Sequence, residues 1–516
     1  MDKLMPIGIQ DFKKLRTDEK GYLYIDKTEE IYRLLTTSSV VFLSRPRRFG
    51  KSLLLSTIRY LFEGEKDLFE GLWICDKWDW EKRYPVISIS LGGARSIEDV
   101  ISDLKDQIDS NAERLNVELE SGDTVIRFRQ LIRGTNEKYG VRVVVLIDEY
   151  DKPILDNLNK KEVATEIREY LRRFYSEIKN SDEYLKFILL TGVTRFSKAG
   201  IFSGLNNLED ISLNPDFGNI VGITQEELER YLGEEIKRHN VDLEEVKEWY
   251  NGYNFLGDRL YNPFDILRFI KNKCVFDNYW FNSGTPNFLI KLIESGNFYV
   301  PELSNLVVGK EMMDRFDVEN IRPEVILYQA GYLTIDEVIR SPRGGMLYRL
   351  KVPNKEVRMS LSDAILDYWK IVEKDRRGEL EDGLYVALGN GDVEGIKGWI
   401  KRLFEAIPYH YHTNNPISQY EGYYASVLFS FFMSTGYEVR GEDVSRRGRA
   451  DIVVLARDKV YVVEIKTDAQ EPAIKQIEER RYWEKYEGAG REIYLVGINI
   501  DSGARAVGEM EMRQIK

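Results

Sequence analysis

At 516 residues the chain is long enough for two or three domains, and its 43% hydrophobic and 31% charged residues are typical of a globular protein. No run of about 18 apolar residues is present, so no membrane span is predicted, and the N-terminus lacks the apolar core of a signal peptide. Two cysteines argue against a disulfide framework and favour a reducing cytoplasm. The net charge of −12 does not indicate nucleic-acid binding, which would need a local basic cluster.

The first segment, up to about residue 215, alternates short apolar runs with amphipathic helical patterns. Four apolar runs are predicted strands, at 40–43, 86–89, 143–147 and 187–190. Two helical patterns between them lie at 97–115 and 124–139. This alternation is typical of a parallel sheet with helices on both faces. Beyond this segment the patterns become mostly helical, with a capping box at Thr224 and a helix that starts at Pro263.

The segment from Arg45 to Ser52, RPRRFGKS, joins the first predicted strand to a helical pattern. A strand, a tight loop that ends in Gly-Lys-Ser and a helix form the phosphate cradle of P-loop NTPases. We expect Lys51 to meet the β- and γ-phosphates of ATP and the Ser52 hydroxyl to bind Mg²⁺. The predicted nucleotide-binding residues of this loop are Arg47, Arg48, Phe49, Gly50, Lys51, Ser52 and Leu53.

The loop departs from the usual motif at its first position, where Arg45 replaces a glycine. That glycine normally permits a tight turn, and Pro46 could supply the turn in another way because it fixes φ. The alternative interpretation is a basic strand-to-helix loop in which Gly-Lys-Ser occurs by chance.

A second motif supports the NTPase interpretation, because the apolar run 143–147 is followed by Asp148 and Glu149. An acid at the end of a buried strand is typical of the Walker B motif, in which Asp148 would hold Mg²⁺ and Glu149 would act as general base. The alternative is a strand that ends in a solvated acidic loop. The next strand runs into Thr191, Thr194 and Arg195, any of which could sense the γ-phosphate, although an ordinary turn is equally consistent.

The C-terminal segment contains a second constellation of charged residues. Asp451 lies in one predicted strand and Glu464-Ile465-Lys466 in the next, joined by a polar turn, so a hairpin would place Asp451 beside Glu464 and Lys466. Two adjacent carboxylates favour Mg²⁺, and Lys466 could position a water for attack on phosphorus. Glu421, on an upstream helix, could complete the metal ligands. The alternative is a solvent-exposed ladder of ion pairs.

Two further groups of residues belong to this constellation. Gln476 and Tyr482, on the helical pattern 472–487, could face the same pocket. A basic cluster that could meet nucleic-acid phosphates contains Arg440, Arg446, Arg447 and Arg449.

These motifs resemble the AAA-ATPase-like proteins that carry a C-terminal PD-(D/E)XK nuclease domain in bacteria and archaea. The resemblance covers nearly the full length, and it makes the missing glycine of the phosphate loop a trait of the family. The matching strings are IGIQDF at 7–12, YIDKT at 24–28, RPRRFGKS at 45–52, LIDEYD at 146–151, YNGY at 250–253, YNPF at 261–264, GTPNFL at 284–289 and VPNKEV at 352–357.

The resemblance implies an α/β fold in which a P-loop NTPase parallel sheet carries a helical lid and is followed by an α/β nuclease-like domain. We place the ATPase domain at 1–215, the lid at 216–290, a mixed helical and β region at 291–405 and the nuclease-like domain at 406–516. The implied cofactors are ATP and Mg²⁺. The implied partner is nucleic acid, with DNA favoured over RNA; no membrane is involved, and a homo-oligomer remains open.

Three functions compete at this point. The first is a nuclease gated by ATP, which the set of Asp451, Glu464 and Lys466 favours. The second is a nucleotide-dependent switch or scaffold that binds nucleic acid or protein without cleavage. The third is a processive motor, which would need an arginine finger supplied by a neighbouring subunit. Candidates for that finger are Arg172, Arg173 and Arg195.

Overall fold

The computed structural model describes residues 3–195, 201–202, 205, 207–280, 299–310, 322–368, 374–406, 421–488, 490–504 and 506–515. The chain forms two compact units. The first comprises Met1–Phe276, Gly309–Ile335 and Arg340–Met346. The second comprises Asp277–Val308, Asp336–Ile339 and Leu347–Lys516. The segment predicted as a lid thus lies in the same unit as the predicted ATPase domain as far as residue 276.

A parallel sheet forms the centre of the first unit. Its strands are β1 (Val40–Ser44), β2 (Val86–Ser90), β3 (Val143–Asp148), β4 (Leu185–Gly192) and β5 (Glu209–Asp210). The strand order is β2-β3-β4-β1-β5, and every neighbouring pair is parallel. Every residue of β1 and β3 is buried, as expected for strands covered on both faces. The predicted α/β sheet is therefore confirmed, with β5 as an additional edge strand.

Helices cover this sheet and follow it in the chain. Their bounds are Phe12–Thr17, Thr28–Thr37, Lys51–Glu63, Ile97–Leu115, Thr124–Tyr139, Lys152–Leu155, Lys161–Asn180, Gln225–Arg238, Leu243–Tyr250, Pro263–Lys271 and Pro323–Ala330. The helices predicted at 97–115 and 124–139 are confirmed at both ends: Ser96 and Asp123 cap their N-termini, and Asn116 and Gly140 end them in left-handed conformations. The capping box at Thr224 is also present. A short hairpin, β6 (Asn251–Asn254) with β7 (Arg259–Tyr261), lies between two of these helices.

Three strands lie in the segment predicted as mixed. They are β8 (Val307–Gly309), β9 (Thr334–Arg340) and β10 (Met346–Lys351), in the order β8-β10-β9. The turn that joins β9 to β10 is closed by a hydrogen bond of 3.1 Å from the Ser341 N–H to the Gly345 carbonyl. A polar turn at 342–345 thus connects the two strands.

A second five-stranded sheet forms the centre of the second unit. Its strands are β11 (Glu438–Ser445), β12 (Gly448–Ala456), β13 (Lys459–Thr467), β14 (Glu492–Asp501) and β15 (Ala506–Ile515), in chain order. All pairs are antiparallel except β13 with β14. A parallel pair needs a crossover, which the helix Ala473–Arg480 provides. The other helices of this unit are Lys355–Tyr368, Lys374–Asn390, Val393–Glu405 and Glu421–Ser434.

The predicted helix at 472–487 is wrong in its second half. The helix ends at Arg480 because Arg481 adopts a left-handed conformation with φ of 50°, and a 3₁₀ turn, Tyr482–Tyr486, follows. The turn packs Tyr482, Trp483 and Tyr486 into the core formed by β12, β13 and β14. The strand β15 was not predicted, because its pattern of partly exposed residues carries little apolar signal. Among the described residues, no helix combines the length and apolar composition needed to cross a bilayer.

A partly buried carboxylic acid, Glu381, lies in the helical part of the second unit. Burial raises the pKa of Glu381 to about 8, and the nearby Asp363 carboxylate acts in the same direction. Arg377 opposes this shift, but it also pairs with Asp363 and Asp367. Glu381 is therefore protonated near neutral pH, unlike an ordinary glutamate.

We expect this acid to make stability depend on pH. The native state retains a proton that the unfolded chain releases near the ordinary glutamate pKa of 4.5, so the free energy of unfolding falls as the pH rises toward about 8. Glu381→Gln removes this contribution. Its thermal midpoint, followed by circular dichroism, should fall less than that of the wild type between about pH 5.5 and about pH 8. The exposed Glu379→Gln should behave like the wild type, and equal profiles for all three proteins would contradict the assignment.

Candidate functional sites

The carboxyl ends of three adjacent parallel strands, β3, β4 and β1, lie side by side in the sheet. There, one carboxylate oxygen of Asp148 accepts a hydrogen bond from the Ser52 hydroxyl at 2.5 Å, and the other accepts one from the Thr191 hydroxyl at 2.6 Å. Asp148 is buried, so these hydrogen bonds compensate for lost hydration. The structure thus brings together Ser52 and Asp148, the two predicted Mg²⁺ ligands, and Thr191 orients the carboxylate.

The ammonium group of Lys51 lies inside the loop that precedes it. It donates hydrogen bonds to the carbonyl oxygens of Arg45 at 2.9 Å and Pro46 at 3.0 Å. Burial lowers the pKa of Lys51, and the Asp148 carboxylate opposes that shift. Because a buried cation needs acceptors, these two loop carbonyls compensate for the lost hydration of the ammonium group.

Arg45 has a structural role that a glycine could not perform. Its guanidinium is fully buried and donates to the carbonyl oxygens of Ser44 at 2.9 Å, Ser212 at 2.8 Å and Phe217 at 3.3 Å. It also lies 4.1 Å from the centre of the Phe255 ring. Burial lowers the pKa of Arg45 to about 10, which leaves it charged at neutral pH. The arginine therefore fixes the start of the loop against the segment that follows β5.

The rest of the loop is also held by packing. Arg48 and Gly50 adopt positive φ angles of 69° and 96°, which produce the turn before the helix Lys51–Glu63. The Arg48 guanidinium stacks 3.8 Å from the Phe264 ring centre. Phe49 is buried against the rings of Tyr253 and Phe255. The side chains of Arg48 and Phe49 therefore hold the backbone of the loop in place. Arg47, in contrast, is exposed.

Glu149, the predicted general base, follows Asp148 with a left-handed φ of 50°. Its carboxylate forms an ion pair of 2.9 Å with Lys152, and both side chains are partly exposed. Asp151, the next acid along the chain, is buried and accepts hydrogen bonds from the backbone N–H groups of Val193 and Thr194. Burial raises the pKa of Asp151, and its hydrogen bonds indicate a structural role.

The predicted sensor and finger residues occupy different environments. Arg195 is buried and pairs with Asp210, with Nε 2.9 Å from a carboxylate oxygen, so it is not exposed to a neighbouring subunit. Of the three candidate sensors, Thr191 contacts Asp148, and Thr194 contacts Asp151. Arg172 and Arg173 are exposed on the helix Lys161–Asn180.

An apolar cavity of about 100 Å³ beside the loop was not predicted from the sequence. Gly50 and Leu53 line it on one side. The other walls come from segments far apart in the chain, including Leu23, Ile25, Val221, Pro263 and Leu267. The apolar lining of this cavity, next to the Gly-Lys-Ser loop, suits contact with a planar aromatic ring. Only the similarity at 24–28 and 261–264 hinted at these walls, because no local pattern relates segments so distant.

The hairpin β12–β13 forms the second candidate site. Ile452 pairs with Val463 in an antiparallel register. At the next position of that register, Asp451 lies opposite Glu464. A carboxylate oxygen of Asp451 accepts a hydrogen bond of 2.8 Å from the Ile465 N–H. The predicted hairpin is present, and Asp451, Glu464 and Lys466 line one open cavity of about 740 Å³.

Neighbouring residues orient Glu464 and surround this cavity with positive charge. The Gln476 amide donates hydrogen bonds to the Glu464 carboxylate and, at 3.3 Å, to the Tyr482 hydroxyl. Arginines at three positions line the same cavity: Arg447, Arg449 and Arg480. Carboxylates surrounded by arginines suit a phosphodiester that is bound next to a cation.

The donor set of this cavity fits Mg²⁺, which commonly binds one or two carboxylates and keeps several waters. Within the described part of the chain, no three His, Cys, Asp or Glu side chains converge closely enough to hold a metal by themselves. Asp451 and Glu464 would therefore need water or substrate oxygens as additional ligands. The side chain of Glu421 and the motif at 284–289 lie outside the described residues.

Comparison with known proteins assigns both regions to families. Residues 6–202 match the family model described as "Predicted AAA-ATPase", and residues 419–510 match that of the PD-(D/E)XK nuclease superfamily. The chain is also 41% identical over 513 residues to a protein of Azotobacter chroococcum mcd 1 named "Uncharacterized protein in vnfD 5'region", with 98% of each chain covered. The first family match contains Lys51 and Asp148, and the second contains Asp451 and Glu464.

The packing of Arg45 predicts that the glycine found at this position in the usual phosphate-loop motif would destabilise this protein. Arg45→Gly restores the usual first glycine of a phosphate loop, but it leaves several buried carbonyl groups without their donor. We expect a loss of stability of about 3 kcal/mol and weaker ATP binding, measured by thermal denaturation and calorimetry. Arg47→Gly, in the exposed part of the loop, should leave the thermal midpoint unchanged. Wild-type stability and affinity in Arg45→Gly would show that the arginine is dispensable.

Proposed function

Because the chain belongs to the family of AAA-ATPase-like proteins that carry a C-terminal PD-(D/E)XK nuclease domain, we propose that it hydrolyses ATP in its first unit and cleaves DNA in its second. Both reactions depend on Mg²⁺ in this proposal. The observation that carries the nuclease function is the placement of Asp451, Glu464 and Lys466 in one cavity. The ATPase function is supported by the two hydrogen bonds that converge on Asp148.

In the ATP site, the residues of the loop change partners when nucleotide binds. The Lys51 ammonium exchanges the carbonyl oxygens of Arg45 and Pro46 for phosphate oxygens. Ser52 and Asp148 hold Mg²⁺, which neutralises charge on the transferred phosphate when it is bound. The hydrogen bond from Thr191 keeps the Asp148 carboxylate turned toward this position.

In the ATP site, Glu149 acts as the general base that activates the attacking water. Its carboxylate must leave the ion pair with Lys152 before it can accept a proton from the attacking water. The pair is partly exposed, so opening it costs little free energy. The apolar cleft lined by Leu53 and Val221 accommodates the adenine base.

In the nuclease site, Asp451 and Glu464 hold Mg²⁺, which supplies charge stabilisation for the scissile phosphate when it is bound. Gln476 orients Glu464 through its amide hydrogen bond. Lys466 lies two positions after Glu464 on the same strand face, where it positions the attacking water. The arginines that line the cavity bind flanking phosphates.

We expect Lys51 and Glu149 to affect different steps of the ATPase reaction. Lys51→Ala removes the cation that meets the phosphates and should abolish ATP binding in calorimetry. Glu149→Gln keeps the shape but loses the base, so ATP should bind while turnover falls by about 10²-fold or more. Glu162→Gln, on a neighbouring helix, serves as the matched control. Normal turnover in Glu149→Gln would show that another residue is the general base.

We expect cleavage of end-labelled DNA to require Mg²⁺ and to be lost in Asp451→Asn and Lys466→Ala, because the first loses metal and the second loses the charge next to the attacking water. Matched controls are Asp458→Asn, in the turn of the same hairpin, and Lys475→Ala, on the exposed face of the helix Ala473–Arg480. RNA and single-stranded DNA should be compared in parallel. Binding without cleavage under every metal and nucleotide condition would favour a switch or scaffold.

A further inference from the structure

A third acid lies next to the two carboxylates of the nuclease cavity. Glu442 on β11 occupies the position between the pairs Gly441–Ile452 and Asp443–Ala450, so the register sets it opposite Asp451. Glu442, Asp451 and Glu464 thus form a row across β11, β12 and β13. Glu442 also has a left-handed φ of 50°, which is unfavourable for a glutamate within a strand and indicates that its surroundings impose this conformation.

The surroundings of Glu442 hold it firmly in place. Its side chain is only 11% exposed, and one carboxylate oxygen accepts a hydrogen bond of 2.7 Å from the Tyr299 hydroxyl. Its backbone carbonyl accepts a hydrogen bond of 2.8 Å from the Asn305 amide. The other carboxylate oxygen lies 2.5 Å from the Nε of Arg449. One carboxylate oxygen is therefore hydrogen-bonded, and the other, which accepts no hydrogen bond among the described residues, is paired with the Arg449 guanidinium through charge alone.

Arg449 connects this acid to the nuclease cavity. It lies two positions before Asp451 on β12, so the two side chains share one face of the strand. Both residues line the cavity of about 740 Å³ and also a neighbouring cavity of about 390 Å³, which Glu442 lines as well. The Arg449 side chain is 68% exposed even though its Nε forms an ion pair with Glu442. An arginine held at Nε can still present its terminal N–H groups to a phosphate.

We propose that Glu442 is a positioning residue that holds Arg449 against the scissile phosphodiester of a nucleic acid bound at Asp451 and Glu464. This rests on the proposed nuclease function. In this proposal Glu442 is not a metal ligand, because the Tyr299 hydroxyl engages one of its oxygens and the Arg449 guanidinium neutralises its charge. A guanidinium whose orientation is fixed before the substrate arrives loses less freedom on binding, so the pair contributes more than a free arginine would.

A double-mutant cycle tests this proposal. Glu442→Gln, Arg449→Ala and the combined variant are compared with the wild type and with Arg491→Ala, which removes an exposed arginine of the same unit. Cleavage of duplex DNA with Mg²⁺ gives kcat and KM, and fluorescence anisotropy with Ca²⁺ gives DNA affinity without relying on cleavage. We expect each single variant to lower kcat/KM by about tenfold or more, and the combined variant to be no worse than Arg449→Ala. Arg491→Ala should match the wild type.

If the wild type binds and cleaves DNA, three results would overturn the proposal. A full effect of Glu442→Gln in the Arg449→Ala background, with a raised Mg²⁺ requirement, would make Glu442 a metal ligand. A fall in thermal midpoint that accounts for the lost activity would make it purely structural, and no effect of Glu442→Gln would make it irrelevant.

If the wild type binds DNA but never cleaves it, the proposed nuclease function fails, and coupling in the anisotropy cycle still decides the role of Glu442. If the wild type binds no DNA, both proposals fail.

Discussion

Burying a carboxylate at the end of an apolar strand costs free energy unless hydrogen bonds or a cation compensate, and both candidate sites depend on this constraint. Asp148 ends the fully buried strand β3, and hydrogen bonds from Ser52 and Thr191 compensate for its burial. Glu464 lies in the buried part of strand β13, and the Gln476 amide donates a hydrogen bond to its carboxylate. In each case, the groups that satisfy the acid come from neighbouring elements, so strand order and register determine where the site forms.

In the phosphate loop, side-chain packing replaces the glycine that the usual motif has at its first position. A glycine at the first position would give the loop its freedom to turn, whereas Arg45 fixes the turn by bonding to buried carbonyl groups. Phe49 and Arg48 then hold the loop against Phe255 and Phe264. A loop shaped this way is preorganised by its surroundings, and its conformation is linked to the segments that also line the apolar cleft.

The sequence predicted most of what local patterns encode. The apolar runs located β1 to β4, amphipathic patterns located the helices at 97–115 and 124–139, and the Glu-x-Lys spacing placed Glu464 and Lys466 on one face. It could not reveal the role of Arg45, because the acceptors at Ser212 and Phe217 are far away in the chain. It also missed Glu442, whose position depends on the pairing of β11 with β12. The helix predicted through 487 failed because aromatic packing of Tyr482 and Trp483 outweighed helical periodicity.

The most direct measurement is anomalous diffraction from crystals grown with Mn²⁺ and a non-hydrolysable ATP analogue, since Mn²⁺ accepts the oxygen ligands of Mg²⁺. We expect one anomalous peak at bonding distance from Ser52, close to Asp148 and the nucleotide phosphates, and a second between Asp451 and Glu464. Peaks at neither position, with nucleotide absent from the loop, would contradict the assignment of both sites.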